Sequence, residues 1–355
     1  MASDTLLIIG GGPAGLEAAR GAADLGCKAV LVEQRAALGG TPISAHYAAL
    51  THGMRDAAEV MGEMVAAVAN DSLVDVRLGT TVTGITGAAG DFAVTLRRDG
   101  AEERVSAGAI IVATGFDHFD PGRATQQYGY YMYDDVITLT DAEKMLKEGK
   151  FVRPSTGQPP ERVCFIQCVG SRDRHIGNEY CSKVCCGIAS KQAIEIRERL
   201  PQCRVFIFYI DMRMYGYWEN DLYWPAQEKH KVNYIKGVIS EVVLKGDRLI
   251  VRGEDTTMNR PMEVPMDIVI LSNGMEPSAG TKAVARTLGL RQNKYGFIDV
   301  AHDTLDPVTT SVPGIFVAGA AAGPKDLDDT MGMAGAATMK AVATIRRHAR
   351  MTSAR

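Results

Sequence analysis

The chain has 355 residues, of which 46% are hydrophobic and 23% charged, and its formal net charge is -3. That length suits two α/β domains of ordinary size, and the balance excludes a general basic field for nucleic acid. The longest apolar stretches, residues 109–113 and 314–323, fall far short of the roughly 20 residues a bilayer needs, and the N-terminus lacks a basic start and cleavage site. A cytoplasmic protein without a membrane span is therefore expected.

Thr5–Ile9 reads as a buried strand that runs into Gly10-Gly11-Gly12-Pro13-Ala14-Gly15. A helix pattern follows to residue 25, Gly26 ends it, and Lys28–Val32 reads as a second strand with Glu33 at its end. This is strand, G-x-G-x-x-G, helix, strand, acid. In such a turn Gly10 permits the tight bend, Gly12 lets a diphosphate approach the backbone, and Gly15 allows helix to pack on strand. The helix N-terminus offers free N–H groups and a positive dipole end, and Glu33 is placed to accept from ribose hydroxyls. The turn alone fits NAD or FAD. Gly39-Gly40-Thr41 then gives a second glycine turn, and residues 109–112 a buried strand ending in Ala113-Thr114-Gly115.

Residues 117–295 form the middle. Residues 162–167 read as a strand, 181–200 as a helix, 204–210 as a strand, and 267–271 as a closing strand before Ser272-Asn273-Gly274, with a polar meander around residues 241–252. The frame is again βαβ, but no G-x-G-x-x-G stands in it. Cys168-Val169-Gly170-Ser171-Arg172-Asp173 and Cys181-Ser182-Lys183-Val184-Cys185-Cys186 take its place, which argues against an ordinary NAD site. If the helix starts at residue 181, Cys181 and Cys185 share one face, Cys186 lies further round, and Cys168 comes from the strand end. Four thiolates spaced in this way can hold a [4Fe–4S] cluster. A Cys181/Cys185 redox disulfide, zinc and inert core thiols stay open on spacing alone. Cys27, Cys164 and Cys203 adjoin or lie in buried strands and read as small core residues. His46, His52, His118, His175, His230, His302 and His348 form no ligand spacing, and of these His175 alone falls in the cysteine loop. The tyrosines at 128, 130, 131 and 133, and the aromatic run at 215, 217, 218, 223 and 224, fit either a contact surface or a core.

Near the C-terminus, Pro313-Gly314-Ile315-Phe316-Val317-Ala318-Gly319 precedes a further helix pattern over residues 331–345. Together with the glycine turns and Ala113-Thr114-Gly115, this resembles the thioredoxin-reductase-like branch of flavoproteins with two dinucleotide-binding domains. The resemblance implies an α/β fold with two Rossmann-like domains: a discontinuous FAD domain over residues 1–117 and 296–355, and a second domain over 118–295. It implies FAD contacts at Gly10, Gly12, Pro13, Ala14, Gly15, Glu33, Gln34, Arg35, Gly39, Gly40, Thr41, Val82, Ala113, Thr114, Gly115, Phe116, Gly319 and Ala320. The branch usually carries Asp where Ala320 stands, so Lys325, Asp326, Asp329 or the backbone at Met331 is expected to serve the flavin instead.

The run from Phe165 through Cys186 to Lys191-Gln192-Ala193, with Ala113-Thr114-Gly115-Phe116-Asp117 and Gly323-Pro324-Lys325-Asp326, closely resembles the A-type component of heterodisulfide reductase. That resemblance implies that Cys168, Cys181, Cys185 and Cys186 ligate a [4Fe–4S] cluster beside FAD. It also implies that Lys191 has a catalytic place near the flavin's reactive edge, the alternative being a surface lysine. No C-x₂-C-x₂-C-x₃-C run is present, so the chain is similar to the short form in the heterodisulfide-reductase-like complexes of sulfur oxidisers. The implied function is plain electron storage and transfer to B- and C-type subunits, within a homodimer. The rival is an NAD(P)H- or quinone-linked disulfide oxidoreductase using Cys181/Cys185.

Overall fold

In a computed structural model, which describes residues 3–50 and 53–353, the chain forms two units: residues 1–44, 59–117 and 276–355, and residues 45–58 and 118–275. The first is built on a five-stranded parallel sheet in the order Ile315–Val317, Ala109–Val112, Thr5–Ile9, Lys28–Val32, Val74–Arg77. Its central strands are buried on both faces and read as continuous apolar runs, as parallel sheets require. Leu7 pairs with Val30 and with Ile110. Helix Pro13–Asp24 and the long helix Leu327–Ser353 cover one face through Leu16, Ala19, Ala22, Ala334, Ala337 and Ala341. The antiparallel meander Thr80–Ala88, Asp91–Arg98, Ala101–Ala107 closes the other face through Val82, Phe92 and Val94.

Helix Ala279–Leu288 belongs to this unit, and not to the second as the expected boundary at residue 295 has it. Its Val284, Ala285 and Leu288 share a core with Leu7, Ile9 and Val82. Its N-cap Ser278 accepts from the Thr281 N–H (2.9 Å) and donates to the Thr114 carbonyl (3.1 Å). The C-terminal helix begins earlier than the pattern indicates, because Asp326 caps it by accepting from the Asp329 N–H at 2.7 Å.

The second unit has a seven-stranded sheet in the order Arg260–Met266, Arg248–Asp255, Asn233–Lys245, Arg204–Tyr209, Arg162–Val169, Ile268–Asn273, Val136–Thr138. Phe165 pairs in parallel with Ile207 and Ile270. The long strand Asn233–Lys245 starts parallel to Arg204–Tyr209 and continues antiparallel to Arg248–Asp255. Helix Cys185–Arg199 lies in the βαβ crossover. It starts four residues later than expected. Lys183 sits at φ 65, which no helix residue adopts, and the Ser182 hydroxyl is engaged by the Met275 N–H at 2.8 Å. Cys181 is thus a loop residue. Residues 45–58, expected in the first domain, go with this unit because the Ala48 N–H donates to Glu143 (2.9 Å) and the Ala49 carbonyl accepts from Lys191 (2.9 Å).

Candidate functional site

In the first unit the glycine turn closes on itself. A β-carbon on Gly15 would run into the Gly10 carbonyl, and one on Gly10, held at φ 115, into the Ala113 carbonyl. Gly12 is different. Its backbone is ordinary, at φ -82, and an added β-carbon would meet only Gly40 Cα, at 3.5 Å. The second glycine turn is tied to the first by the Gly39 N–H donating to the Gly11 carbonyl at 2.8 Å. Pro13 opens the helix, where its missing N–H costs nothing, and Ala14 packs beneath it near Gly319. Thr41 follows Gly40 in the short helix Gly40–Ser44. The result is a cleft of bare backbone at a helix N-terminus, which a side chain at Gly12 would fill. This fits a dinucleotide diphosphate.

Glu33 is buried, and both of its oxygens are already engaged: Oε2 accepts from the Gly11 N–H (2.7 Å) and Oε1 from the Arg35 N–H (2.8 Å). Its carboxylate therefore braces the turn while keeping lone pairs for a ribose. Gln34 and Arg35 are exposed beside it, and the Gln34 amide lies near the position a β-carbon on Gly280 would take. Thr114 bonds Thr281 through their hydroxyls at 2.7 Å, so the first turn of helix Ala279–Leu288 adjoins Ala113-Thr114-Gly115. Glycine spacing alone did not reveal that neighbour. Val82 is buried in the meander core and Phe116 half-buried. Gly319 and Ala320 are buried, Lys325 is half-buried, Asp326 and Asp329 form the cap of the long helix, and Met331 lies inside that helix. The backbone at Met331 is past the first four N–H groups and is spent on helix bonds.

In the second unit the strand Arg162–Val169 carries a bulge between Ile166 and Val169, and Cys168 stands there at φ 63. Bulges re-aim side chains, and a non-glycine residue with positive φ is uncommon outside functional turns. The loop beyond is a folded hairpin. The Arg172 N–H donates to the Tyr180 carbonyl and the Asp173 N–H to the Asn178 carbonyl, both at 2.9 Å. Tyr180 OH and the Ser182 hydroxyl clamp the loop to Met275. This return brings Cys181 back to Cys168, while the helix start supplies Cys185 and Cys186. Cys181 and Cys185 therefore do not share a helical face. The hairpin, rather than helical periodicity, brings them together.

All seven cysteines are free. Every pair among Cys168, Cys181, Cys185 and Cys186 is near enough for one thiolate to disfavour another. Burial pushes the Cys185 thiol well up and that of Cys186 to about 11, and it raises Cys168 against the opposing pull of Arg172. Yet among the described residues no three His, Cys, Asp or Glu side chains converge as a single metal ion demands. Zinc needs all its sulfurs about 2.3 Å from one centre, whereas a [4Fe–4S] cluster takes four thiolates on four separate irons. The Lys183 N–H points at Cys181 Sγ (3.3 Å) and the Arg213 N–H at Cys186 Sγ (3.5 Å). The second of these opposes the upward push of burial on Cys186. Both amide atoms of Gln167, buried immediately before Cys168, lack a protein partner. Donor set and surroundings fit four-thiolate ligation.

Lys191 is buried, which overturns the surface-lysine alternative. Its ammonium is paired with Glu143 and donates to the Ala49 carbonyl, and Gln192 donates to the same Glu143 at 2.8 Å. Cys27, Cys164 and Cys203 are buried core thiols, with Cys203 raised to about 12 by burial. His175 is exposed on the cysteine hairpin, and His52 lies outside the described residues. Of the aromatics, Trp218 packs on Gly187, Tyr128, Tyr130 and Tyr133 flank the core, and Tyr131 and Tyr217 are exposed. Among the described residues no helix is long and apolar enough to cross a membrane.

The family model for pyridine nucleotide-disulphide oxidoreductases matches residues 4–341, so the chain belongs to that family of oxidoreductases. T. acidophilum thioredoxin reductase shares the fold, with a TM-score of 0.65 over 96% of this chain and 99% of that one at 19% identity. This fold implies FAD. More particularly, the chain is 39% identical over 246 residues to the A-type component of H(2):CoB-CoM heterodisulfide,ferredoxin reductase from Methanothermobacter marburgensis, covering 68% of this chain and 37% of the relative. It is 41% identical over 251 residues to an A-type iron-sulfur component of CoB--CoM heterodisulfide reductase from Methanopyrus kandleri, covering 69% and 38%. The chain thus spans less than two-fifths of the length of these curated relatives.

Proposed function

We propose that this chain is the FAD- and [4Fe–4S]-bearing electron-transfer subunit of a heterodisulfide-reductase-like complex, acting with B- and C-type partners in cytoplasmic sulfur oxidation and assembling as a homodimer. The observation that carries the reading is the coupled quartet Cys168, Cys181, Cys185 and Cys186, standing where the βαβ frame would otherwise hold a phosphate turn. Held by the thiols and the glycine turns, the cluster and the flavin would supply one-electron and two-electron chemistry respectively. The protein's own part is to bind and orient. Gly12 and Gly40 would keep side chains out of the diphosphate path, Glu33 would accept from the ribose, and the Lys183 and Arg213 N–H groups would donate to the Cys181 and Cys186 sulfurs. The absence of a G-x-G-x-x-G turn from the second βαβ frame also makes rapid flavin reduction by NADH or NADPH alone unexpected.

Iron, sulfide and low-temperature EPR on anaerobically purified protein test this. About four irons are expected per chain, lost on Cys→Ser change at any of the four positions and kept on change at Cys27, Cys164 or Cys203. Iron-free wild-type protein whose Cys181 and Cys185 oxidise to a disulfide, and whose flavin bleaches rapidly with NADH in stopped flow, would favour the disulfide oxidoreductase instead.

A further inference from the structure

The thiol quartet is electrically lopsided. Arg172 follows the bulged Cys168 by four residues and stands at φ 57. Its side chain turns back so that Nη1 reaches 4.0 Å from Cys168 Sγ. The same guanidinium is held by Asp211 in a two-pronged pair, Nη1 to Oδ1 and Nη2 to Oδ2, each at 3.0 Å. Fork-to-fork pairing fixes direction as well as distance. Asp211 is itself delivered by a fixed loop. Trp218 is buried against Gly187, where a β-carbon would strike its ring, and the Arg213 N–H reaches Cys186 Sγ at 3.5 Å. Arg213 also approaches Asp211, at 3.7 Å. Cys185 is buried, and no arginine or lysine acts on it as Arg172 does on Cys168. The ion pair with Asp211 thus holds the guanidinium with its outer nitrogen toward the Cys168 sulfur.

We propose that Arg172, locked by Asp211, is a positioning and tuning residue that holds a fixed positive charge against the Cys168 edge of the cluster and favours its reduced form. The inference rests on the cluster reading above. Reduction adds one electron, supplied by the flavin or a redox partner, and so one negative charge to a site already carrying four thiolates. A guanidinium that cannot lose its proton stabilises that added charge, more strongly in a half-buried site than in water. Asp211 opposes the effect, but Arg172 is the stronger influence on Cys168.

The test is an EPR-monitored redox titration of the anaerobic holoprotein, with iron counted in each sample. Arg172→Gln removes the guanidinium and leaves the Asp211 charge facing only Arg213, at 3.7 Å. It should lower the reduced-to-oxidised ratio at a fixed applied potential about tenfold, which for a one-electron couple is about 59 mV. Arg172→Gln with Asp211→Asn removes both charges and should fall between Arg172→Gln and wild type. Arg172→Lys keeps the charge and should recover most of the ratio. This ordering separates charge from mere packing, because the double variant disturbs more structure than the single yet should lie closer to wild type. Full iron with an unchanged ratio in Arg172→Gln overturns the tuning role and leaves the cluster reading standing. So does a double variant shifted further than the single. Should Arg172→Gln lose its iron, Arg172→Lys decides: a wild-type ratio supports the charge, and a ratio lowered as far as tenfold refutes it. Iron-free wild-type protein defeats both readings together.

Discussion

The chain builds the same strand–turn–helix–strand frame twice and connects it differently. In the first frame only residues 10–12 separate strand Thr5–Ile9 from helix Pro13–Asp24; in the second, residues 170–184 separate strand Arg162–Val169 from helix Cys185–Arg199. The short connection has no side chains at its crossing points, and its function is to be empty. The long one is a hydrogen-bonded hairpin whose function is to return a cysteine. The helices differ as well. Pro13–Asp24 buries alanines and Leu16, whereas Cys185–Arg199 buries Ser190, Lys191, Gln192 and Glu195. On the proposed reading, one βαβ frame serves either cofactor class, and the connection, not the sheet, makes the choice.

The sharpest way to break this comparison lies within the first turn. Gly15→Val drives a side chain into the Gly10 carbonyl at a helix–strand contact. It should cost about 4 kcal/mol or more and leave little folded protein in a thermal-denaturation assay. Gly12→Val meets no backbone closer than Gly40 Cα at 3.5 Å. It should fold with the thermal stability of the flavin-free wild type and yet bind FAD at least about tenfold more weakly, read by absorbance after FAD titration. A fully flavinated Gly12→Val protein would remove the diphosphate from this turn.

A second comparison concerns the buried charges of the second helix. Lys191→Met removes the cation that faces Glu143 in a water-excluded site. Breaking one side of such a pair costs about 3–5 kcal/mol, so Tm should fall by roughly 6–12 °C or more. Adding Glu143→Leu should restore part of the loss, since two apolar groups need no partner. A Lys191→Met protein of unchanged Tm with a displaced flavin absorbance band would instead give this lysine the flavin-edge role that the resemblance implies.

What the sequence reveals follows from range. The first frame is legible because its determinants are local: glycines at fixed offsets, an apolar strand on each side and Glu33 at the end of the second. The cysteine cluster is legible as a set, because thiols bunch within residues 168–186, but not as a geometry. The helical pattern extends back to Cys181, and nothing local announces that Lys183 turns left-handed or that Ser182 is held by Met275. Both misjudged boundaries have the same origin. Residues 45–58 and helix Ala279–Leu288 are assigned by partners about 95 to 280 positions away, such as Glu143 for Ala48 and Leu7 for Val284. Asp211, the partner of Arg172, carries no motif at all.

The smallest effect tests whether Glu195 belongs to the Lys191–Glu143 pair or merely tolerates it. Its Oε2 lies 3.8 Å from Lys191 Nζ, beyond a hydrogen bond, and that oxygen has no hydrogen-bond partner. Burial raises its pKa above the ordinary 4.5, against the pull of Lys191. A carboxyl whose folded pKa is raised binds its proton more tightly in the native state. Its contribution is most favourable below about 4.5 and falls as pH rises through the folded value. Glu195→Gln keeps the shape and removes that loss. The Tm of the variant relative to wild type should therefore climb as pH rises above about 4.5 and level off once Glu195 is ionised in the folded protein, a smaller change than either effect above. If the difference instead shrinks as pH rises, attraction to Lys191 outweighs burial. Glu195 would then be a working third member of the buried pair, and the second helix would hold its lysine from two sides rather than one.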